Sequence, residues 1–408
     1  MERVVVTGLD YVTSLGFGHE DHEAALRHGR GGPAPITRFS TDGFRTRVAG
    51  QCDERRLEQR LAKRWSPAVL RRLGVDTRLI LWALASAIES AGLPVGAPAR
   101  PLPAFLGTTT EGFHGAEQWF AQHLLDPRRA RPHHLVHASA GSQLSTLAGL
   151  LRTPLEPCVM TNACATGISS IGRLFRSIRH GRRELGVAGG YDCLTRFVHL
   201  GFDSLGALTT GRCAPFERGR SGFFIGDGAA VLVMESLTHA RSRGARIRAE
   251  IVGYGESADS HHQTHPDPEG RGIARAMRRA LASAEMEPGR IDYINAHGTG
   301  TPANDGAEAR GTLLGLGPDV GRRVPISSTK PLVGHTLGAA GAVEQCFCLL
   351  ALERGFLPPQ AGFVEGDPAC PLNIVREAKG QPAVVMNSSL GFGGANGVLI
   401  ARRWEEVA

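Results

Sequence analysis

Short runs of apolar, often β-branched residues alternate along the chain with longer segments of helical periodicity. In the first half this pattern predicts five buried strands and two helices, an alternation typical of layered α/β folds. The strands are Val4–Thr7, Ala104–Gly107, Cys158–Met160, Leu185–Ala188 and Ala230–Met234, and the helices are Thr77–Ala91 and Gly167–His180.

The alternation resumes after a polar, arginine-rich stretch at Glu235–Arg248, which is the best candidate boundary. The later strands are Arg248–Tyr254, Ile291–Ala296, Val324–Ser327, Ala383–Asn387 and Val398–Arg402, and the helices are Gly272–Glu285 and Gly338–Arg354. We therefore predict two α/β halves of similar size, residues 1–240 and 241–408. Arg38–Arg72 is charged and less regular, which predicts a surface excursion with a short helix.

Composition supports a globular chain with a large core. Hydrophobic residues make up 42 % of the 408 residues and charged residues 21 %, a balance that disfavours disorder. The N-terminal stretch lacks the layout of a signal peptide, and no apolar run approaches the roughly 20 residues of a membrane helix. We expect a cytoplasmic protein.

The net charge of +7 favours acidic partners. Nucleic acid is one such partner, but the sequence contains no zinc-finger spacing, basic zipper or RNA-binding aromatic motif. An acidic carrier protein fits the charge equally well. In the basic stretch before the first long helix, Arg64, Arg71 and Arg72 are candidate docking residues, although a solvated charged helix explains them as well.

The eight cysteines lack CxxC or other metal-binding spacing, so most are expected to be reduced thiols in the core. Cys164 differs because Pro157–Gly167 is predicted as strand, tight turn and helix, with small residues around the thiol. The positive end of the following helix would lower the pKa of this thiol, and its N–H groups could bind an oxyanion. On the evidence of the turn alone, Cys164 is equally well explained as a nucleophile and as a buried core thiol.

Two histidines follow predicted strands, where α/β folds place active sites. His297 lies in Asn295–Pro302, and His335 ends the segment Ser327–His335. A single loop histidine is more often structural, but two in matching positions, together with Cys164, favour catalysis.

Lys330 is one of only three lysines among 46 basic residues. An amine retained against an arginine background indicates a need for a compact charge, although chance retention is the alternative. Glu308 is the candidate ion-pair partner, on a helix after Pro302.

A glycine-rich loop, Asn387–Gly397, lies between the last two strands. It does not open a helix inside a βαβ unit, so a nucleotide-binding loop is excluded. Gly391–Gly394 is either a mobile turn that swings Phe392 or an ordinary tight turn.

Together these motifs closely resemble the β-ketoacyl-[acyl-carrier-protein] synthases of the thiolase superfamily, nearest to the elongating branch of fatty acid and type II polyketide synthesis. The motifs occur in the family's order: Ala163–Gly167, Ala296–Thr301, Thr329–Lys330 with Gly334–His335, and Gly391–Gly394. The resemblance implies a five-layered αβαβα thiolase fold of two similar halves, normally dimeric. It also implies a decarboxylative condensation that lengthens a cysteine-bound acyl chain by two carbons from malonyl-carrier protein.

The resemblance implies a role for each matching residue. Cys164 is the nucleophile, His297 and His335 assist decarboxylation, and Lys330 supports them. The oxyanion and gating group is Cys164, Gly391, Phe392 and Gly393, the supporting group is Glu308, Thr299 and Thr301, and Thr264 is a candidate for the substrate channel. No metal or other cofactor is implied, because the substrates travel on the phosphopantetheine of acyl carrier protein.

Several positions depart from the family pattern, namely Asp10, Ser221, Gln263 and Leu390. They leave the acyl substrate open between housekeeping fatty acid elongation and a specialised polyketide or polyene enzyme that works with a chain-length factor. A thiolase would need a second cysteine near the C-terminus, and none follows Cys370. An inactive partner subunit would lack the nucleophile, whereas this chain has Cys164.

Overall fold

The computed structural model describes residues 1–94, 96 and 100–406. The strands are β1 Val4–Thr13, β2 Gly16–Phe17, β3 Ala34–Pro35, β4 Val48–Ala49, β5 Leu102–Gly107, β6 Leu155–Met160, β7 Leu185–Asp192, β8 Gly228–Ser236, β9 Ala249–Ala258, β10 Tyr293–Asn295, β11 Pro325–Ser327, β12 Asn373–Ile374, β13 Val384–Gly391 and β14 Ala395–Arg403. The helices are α1 Gly18–His28, α2 Glu54–Leu61, α3 Pro67–Leu70, α4 Val75–Ser90, α5 Phe113–Leu125, α6 His133–Val136, α7 Ala140–Leu151, α8 Thr166–Arg179, α9 Arg196–Ser204, α10 Leu237–Ser242, α11 Arg271–Ala284, α12 Pro302–Leu316, α13 Pro318–Arg323, α14 Lys330–Val333 and α15 Ala340–Arg354.

One mixed sheet runs through both halves of the chain, in the order β12-β11-β10-β13-β14-β9-β1-β8-β7-β5-β6. Strand β1 joins the halves, because it pairs antiparallel with β8 along its length and with β9 at its start. Parallel pairs lie toward both ends of the sheet, β5 with β6 and β7, and β10 with β11 and β13. Their carboxyl ends supply the loops that carry the site.

Helices cover the sheet in layers. Helix α4 packs on β1 and β8, α11 packs on β9 and β14, and α8 and α15 pack against each other and against strands of both halves. Helix α15 is buried from Ala340 to Leu352, which explains why its sequence has no polar face. Small residues permit the close approach of α8 and α15, since a Cβ on Gly167 would lie 2.6 Å from the Ala342 nitrogen.

The predicted strands and helices all occur, most with bounds within a few residues of those predicted. The prediction that Cys158–Met160 is buried is wrong. Strand β6 is the edge of the sheet with β5 as its neighbour, and both Cys158 and Val159 are exposed. The excursion Arg38–Arg72 contains two helices, α2 and α3, and the short strand β4, rather than one short helix.

Large apolar side chains are exposed on α5, α6 and α9 as well as on β6. They are Phe113, Phe120, Leu124, Leu125, Leu135, Val136, Val159, Phe197 and Leu200. Such exposure is typical of a surface that another protein covers. Within residues 1–94, 96 and 100–406, no helix has the length and apolarity to span a membrane.

Candidate active site

Cys164 lies in the turn between β6 and α8, as predicted. The turn is held by Thr166, whose hydroxyl donates to the Ala163 carbonyl and accepts from the Asn162 N–H, both at 2.6 Å. Ala163 has a φ of 45°, a left-handed conformation that is strained for a residue with a side chain. The turn places the Cys164 side chain in a cleft while leaving it only 8 % exposed.

His297 and His335 lie beside this thiol. His297 follows β10 and His335 follows α14, so the parallel strands β10 and β11 bring their loops to one edge of the sheet. The two rings are 5.2 Å apart between centroids and nearly perpendicular, at 81°. Cys164 Sγ and one ring nitrogen of each histidine all lie within 4.8 Å of one another. The structure thus brings together the three residues that the sequence predicted as catalytic.

The partners of the two rings fix their tautomers. The Leu337 N–H donates to His335 Nδ1 at 3.2 Å, and the Lys330 ammonium lies 3.3 Å from His297 Nδ1. Because both Nδ1 atoms face donors, each neutral ring carries its proton on Nε2. Burial, followed by the charge of Lys330, holds the pKa of both histidines well below the usual range. The site therefore holds two neutral imidazoles with Nε2–H groups available to donate.

The partner of Lys330 is Glu344 of α15, and the prediction of Glu308 is wrong. Lys330 Nζ lies 2.5 Å from Glu344 Oε1, and both side chains are almost fully buried. Burial raises the pKa of Glu344 to about 7, with Lys330 acting in the opposite direction.

Glu308 holds the His297 loop instead. It accepts from the N–H groups of His297 and Gly298, each at 2.8 Å, and from the Ser388 hydroxyl at 2.7 Å. With these donors, both carboxylate oxygens are occupied. Burial raises the pKa of this carboxyl, and the hydrogen bonds oppose that effect.

Burial also raises the pKa of the Cys164 thiol to about 11, against the charge of Lys330 and a hydrogen bond from the Phe392 N–H. Burial therefore opposes the lowering of the thiol pKa that the helix end was expected to give. The turn and the start of α8 are as predicted, but desolvation outweighs the groups that favour the thiolate.

The glycine-rich loop places Phe392 beside Cys164. Gly393 has a φ of 79°, which favours glycine, and its N–H donates to the Gln263 carbonyl at 2.7 Å. Gly391 lies so close that a Cβ there would be 3.2 Å from the Cys164 nitrogen. The Phe392 side chain is 37 % exposed.

Two cavities meet at Cys164 and Phe392. The first, of about 320 Å³, has a partly polar wall that includes His297, His335, Thr299, Thr301 and Thr264. The second, of about 310 Å³, is almost entirely apolar. It is lined by Thr109, Thr110, Phe113, Ala163, Cys164, Phe197, Val198, Gly201, Phe202, Leu205, Leu337 and Phe392.

Asp192, at the end of β7, was missed by the sequence analysis. Its carboxylate accepts from the hydroxyls of Thr108, Thr109 and Thr110, and from the Gly338 N–H at 2.6 Å. It thereby joins the wall of the apolar cavity to the loop after His335. A predicted strand that ended at Ala188 concealed this position, whereas an acidic residue after a longer apolar run would have indicated it.

The donor atoms of Cys164, His297 and His335 also have a spacing that could hold a metal ion. The ammonium of Lys330, 3.3 Å from His297 Nδ1, would repel a cation there. The arrangement fits covalent chemistry at sulfur better than metal ligation.

Residues 1–240 match the family described as Beta-ketoacyl synthase, N-terminal domain, and residues 248–364 match its C-terminal domain. The chain belongs to the β-ketoacyl synthase family. The synthase is 35 % identical to 3-oxoacyl-[acyl-carrier-protein] synthase 2 of Staphylococcus aureus across 99 % of both chains. The family resemblance inferred from the motifs is confirmed, and the synthase is an acyltransferase of the ketosynthase class.

Two solved structures show the same fold. The ishigamide ketosynthase/chain length factor has a TM-score of 0.89 at 36 % identity, covering 99 % of this chain and 100 % of that one. AntDE:AntF, a type II polyketide synthase acyl-carrier protein in complex with its ketosynthase, has a TM-score of 0.88 at 26 % identity, with coverage of 99 % and 100 %. The synthase therefore has the thiolase-like fold that the motifs implied.

Proposed function

We propose that this synthase holds an acyl chain on Cys164 and extends it by two carbons through decarboxylative condensation with malonyl-carrier protein. One observation carries the proposal. Cys164 Sγ and the ring nitrogens of His297 and His335 lie within 4.8 Å of one another, at the junction of a partly polar and an apolar cavity.

In the first half-reaction, an acyl thioester on the phosphopantetheine arm of a carrier enters the polar cavity, past Thr264, Thr299 and Thr301. The Cys164 sulfur attacks the thioester carbon, its S–H proton passes to the carrier sulfur, and the carrier leaves as a thiol when its bond to the acyl carbon breaks. The N–H groups of Cys164 and Phe392 stabilise the tetrahedral oxyanion between these steps. The acyl chain then lies in the apolar cavity.

In the second half-reaction, the malonyl thioester takes the place of the acyl donor. The Nε2–H groups of His297 and His335 donate to its thioester oxygen, which accepts electron density as the bond to CO2 breaks. The resulting enolate carbon attacks the acyl carbon, the bond to Cys164 sulfur breaks, and the β-ketoacyl product remains on the carrier. Loss of CO2 drives the step, so the mechanism requires no redox cofactor.

Phe392 is the proposed gate between the two substrates. Its ring lines both cavities and lies 5.8 Å from the ring of Phe202, which lines both as well. Gly391 and Gly393 on either side permit the loop to turn. Movement of this ring would open the apolar cavity for an acyl chain and close it for condensation.

A second subunit is the proposed cover of the apolar cavity. The cavity ends at Phe113 and Phe197, which are 40 % and 62 % exposed and pack edge to face at 5.4 Å. A solved relative is a ketosynthase/chain length factor. The cover is a second copy if the synthase serves fatty acid elongation, and a chain-length-factor-like subunit if it serves specialised polyketide or polyene synthesis.

Two of the positions that depart from the family pattern, Gln263 and Leu390, differ in what they indicate about the substrate. Gln263 contributes its backbone carbonyl to the glycine-rich loop, so its side chain says little about the substrate. Leu390 lines the polar cavity, where a bulkier aromatic residue would leave less room. The additional space beside Leu390 is the observation that supports specialised polyketide or polyene synthesis as the second candidate function.

Acidic carrier protein is the proposed docking partner, at Arg71 and Arg72. Both are exposed, and in the described ranges neither is in an ion pair. Arg64 is paired with Glu89 and lies over the Trp82 ring, so it is the weaker candidate of the three. A cytoplasmic location fits this partner and remains a proposal.

The test is to incubate the synthase with a panel of acyl-carrier proteins and malonyl-carrier protein, and to read protein and product by intact mass. Growth of saturated medium or long acyl groups by one acetate unit would support fatty acid elongation. Growth of short unsaturated or aryl groups, or growth only with an added partner subunit, would support the second candidate. Failure of every donor to load Cys164 would contradict the catalytic assignment.

A further inference from the structure

A third cavity lies apart from the catalytic centre, between the loop that joins α3 to α4, the start of α5, and α6. It is polar and partly open to solvent, with a volume of about 180 Å³. Arg71, Arg72 and Arg78 line it from one side. None of the residues assigned to the condensation reaction lines it.

Four histidines complete the wall of this cavity. His114 lies in the first turn of α5, and His133, His134 and His137 lie on and just after α6. The rings of His133 and His134 are 4.1 Å apart, so the ring nitrogens are concentrated in a small volume. The arginines thus come from the segment between α3 and α4 and from α4 itself, and the histidines come from α5, α6 and the residue after α6.

These basic groups have few acidic partners. Arg78 approaches Glu54 only to 4.0 Å, and its Nε is buried without a hydrogen-bond partner in the part of the chain that the structure describes. Asp76 is the one acidic residue of the described wall. Its carboxylate already accepts from the Thr77 N–H at 2.7 Å and from Gln143 Nε2 at 3.0 Å. The cavity is left with an excess of N–H donors and of positive charge.

An excess of guanidinium and imidazole N–H groups around a small recess suits a tetrahedral oxyanion. Helix α5 begins at the wall, so the positive end of its dipole adds to the same field. We propose that this cavity binds a phosphate group, either inorganic phosphate or the phosphoryl end of a small phosphate monoester. The carboxylate of an acidic protein, proposed above to meet the exposed Arg71 and Arg72, is the competing occupant. A small anion suits the less exposed Arg78 and the histidines better.

The position of the cavity gives a bound phosphate a route to the acyl site. The first turn of α5 presents His114 to this cavity and Phe113 to the apolar cavity beside Cys164. Phosphate held at this turn would therefore order one wall of the acyl cavity.

Calorimetric titration of the full-length synthase with inorganic phosphate, at ionic strength held constant with sodium chloride, tests the proposal. Saturable binding is expected, weakened at least about tenfold by Arg78→Gln, since a charge-assisted hydrogen bond is lost. His134→Gln, on a different element, should weaken binding in the same direction. If the Arg78 variant does not fold, phosphate binding by His134→Gln tests the proposal in its place. Arg64→Gln is the matched control, because Arg64 is outside the cavity and paired with Glu89.

The source of the phosphate group is distinguished by a parallel titration with glycerol 3-phosphate. Tighter binding of the ester than of inorganic phosphate would indicate a phosphorylated metabolite, and the reverse order would indicate free phosphate. Hydrogen exchange should slow across residues 112–118 when phosphate is bound. No saturable binding, or equal weakening in the Arg64 variant, would overturn the proposal, as would binding of an acidic carrier protein to the cavity residues without any phosphate binding.

Discussion

Around Cys164, the side chains of His297, His335, Lys330 and Glu344 are buried and tied to one another or to backbone N–H groups. At the outer end of the apolar cavity, by contrast, Phe113 and Phe197 are exposed. The groups proposed to react are thus fixed within a single chain, whereas the surface proposed to measure the acyl chain is open. Reactivity of the thiol and selection among acyl chains should therefore respond to different substitutions.

The largest effect is expected from Cys164→Ala, which removes the atom that carries the acyl chain. Elongation should fall below detection, while release of CO2 from malonyl-carrier protein continues, because His297 and His335 are unchanged. Intact mass of the protein and measurement of released CO2 follow the two activities separately. Elongation by this variant would contradict the assignment of the nucleophile.

His297→Ala and His335→Ala should each slow condensation by about 10²–10⁴-fold, because each removes one hydrogen-bond donor to the enolate oxygen. Acyl loading of Cys164 should continue. Single-turnover assays with preloaded enzyme separate the steps. Since burial holds both histidine pKa values below the usual range, both remain neutral donors at pH 6.5, and condensation should not yet decline there.

Lys330→Met tests how the buried charges support the thiol. A nearby cation favours the thiolate, so its removal should raise the pKa of Cys164 and shift the pH profile of iodoacetamide alkylation to higher pH. Removing one member of a buried ion pair should also cost about 3–5 kcal/mol of unfolding free energy.

The pH dependence of that loss follows from Glu344. Burial raises its pKa, to about 7 with Lys330 present, so the folded state retains a proton that the unfolded state has released. Stability therefore falls as pH rises from the unfolded pKa of Glu344 to about 7, and levels off above that value. Without Lys330 the pKa of Glu344 rises further and the fall continues to higher pH, so the deficit of Lys330→Met should be larger at pH 8 than at pH 6. The double variant Lys330→Met/Glu344→Gln should regain stability in urea unfolding but keep the shifted alkylation profile. Recovery of both the stability and the original alkylation profile would show that Lys330 does not act on the pKa of the Cys164 thiol.

A smaller effect on chemistry is expected from Val159→Lys on the exposed strand β6. A lysine there should oppose pairing of this edge with another subunit, which sedimentation would report as smaller particles. Discrimination between long and short acyl donors should fall, while Cys164 alkylation changes by less than about threefold, since the catalytic centre lies within one chain. Unchanged sedimentation would show that β6 is outside any subunit interface.

Charge reversal at Arg71 and Arg72 should have the smallest effect on the chemical step, which it leaves unchanged. Docking charges at a rim act mainly on the association rate and on its salt dependence, so KM for the carrier should rise by roughly tenfold at low salt and less at high salt. Arg64→Glu is the matched control, since Arg64 is already paired with Glu89. Equal effects of all three reversals would indicate net charge rather than a docking site.

The sequence predicted that Cys164, His297 and His335 lie together, because each is in a short motif at a strand end, where position along the chain determines position in space. It missed Glu344, which is 14 residues from Lys330 on a different helix and contacts it only in the folded structure. A lone acidic residue inside an apolar helix was the available signal. The exposure of Cys158 could not be predicted, because β6 has the composition of a buried strand and only the strand order makes it an edge.

The pairing of β1 also has a consequence for synthesis of the chain on the ribosome. Its partners β8 and β9 are made only after residues 14–227 have been added. At about 5–20 residues per second, this interval lasts on the order of tens of seconds. During it, the apolar run Val4–Val6 has no strand to pair with. The nascent chain therefore needs shielding of this segment, and joining the two halves is expected to be a late, slow event of folding.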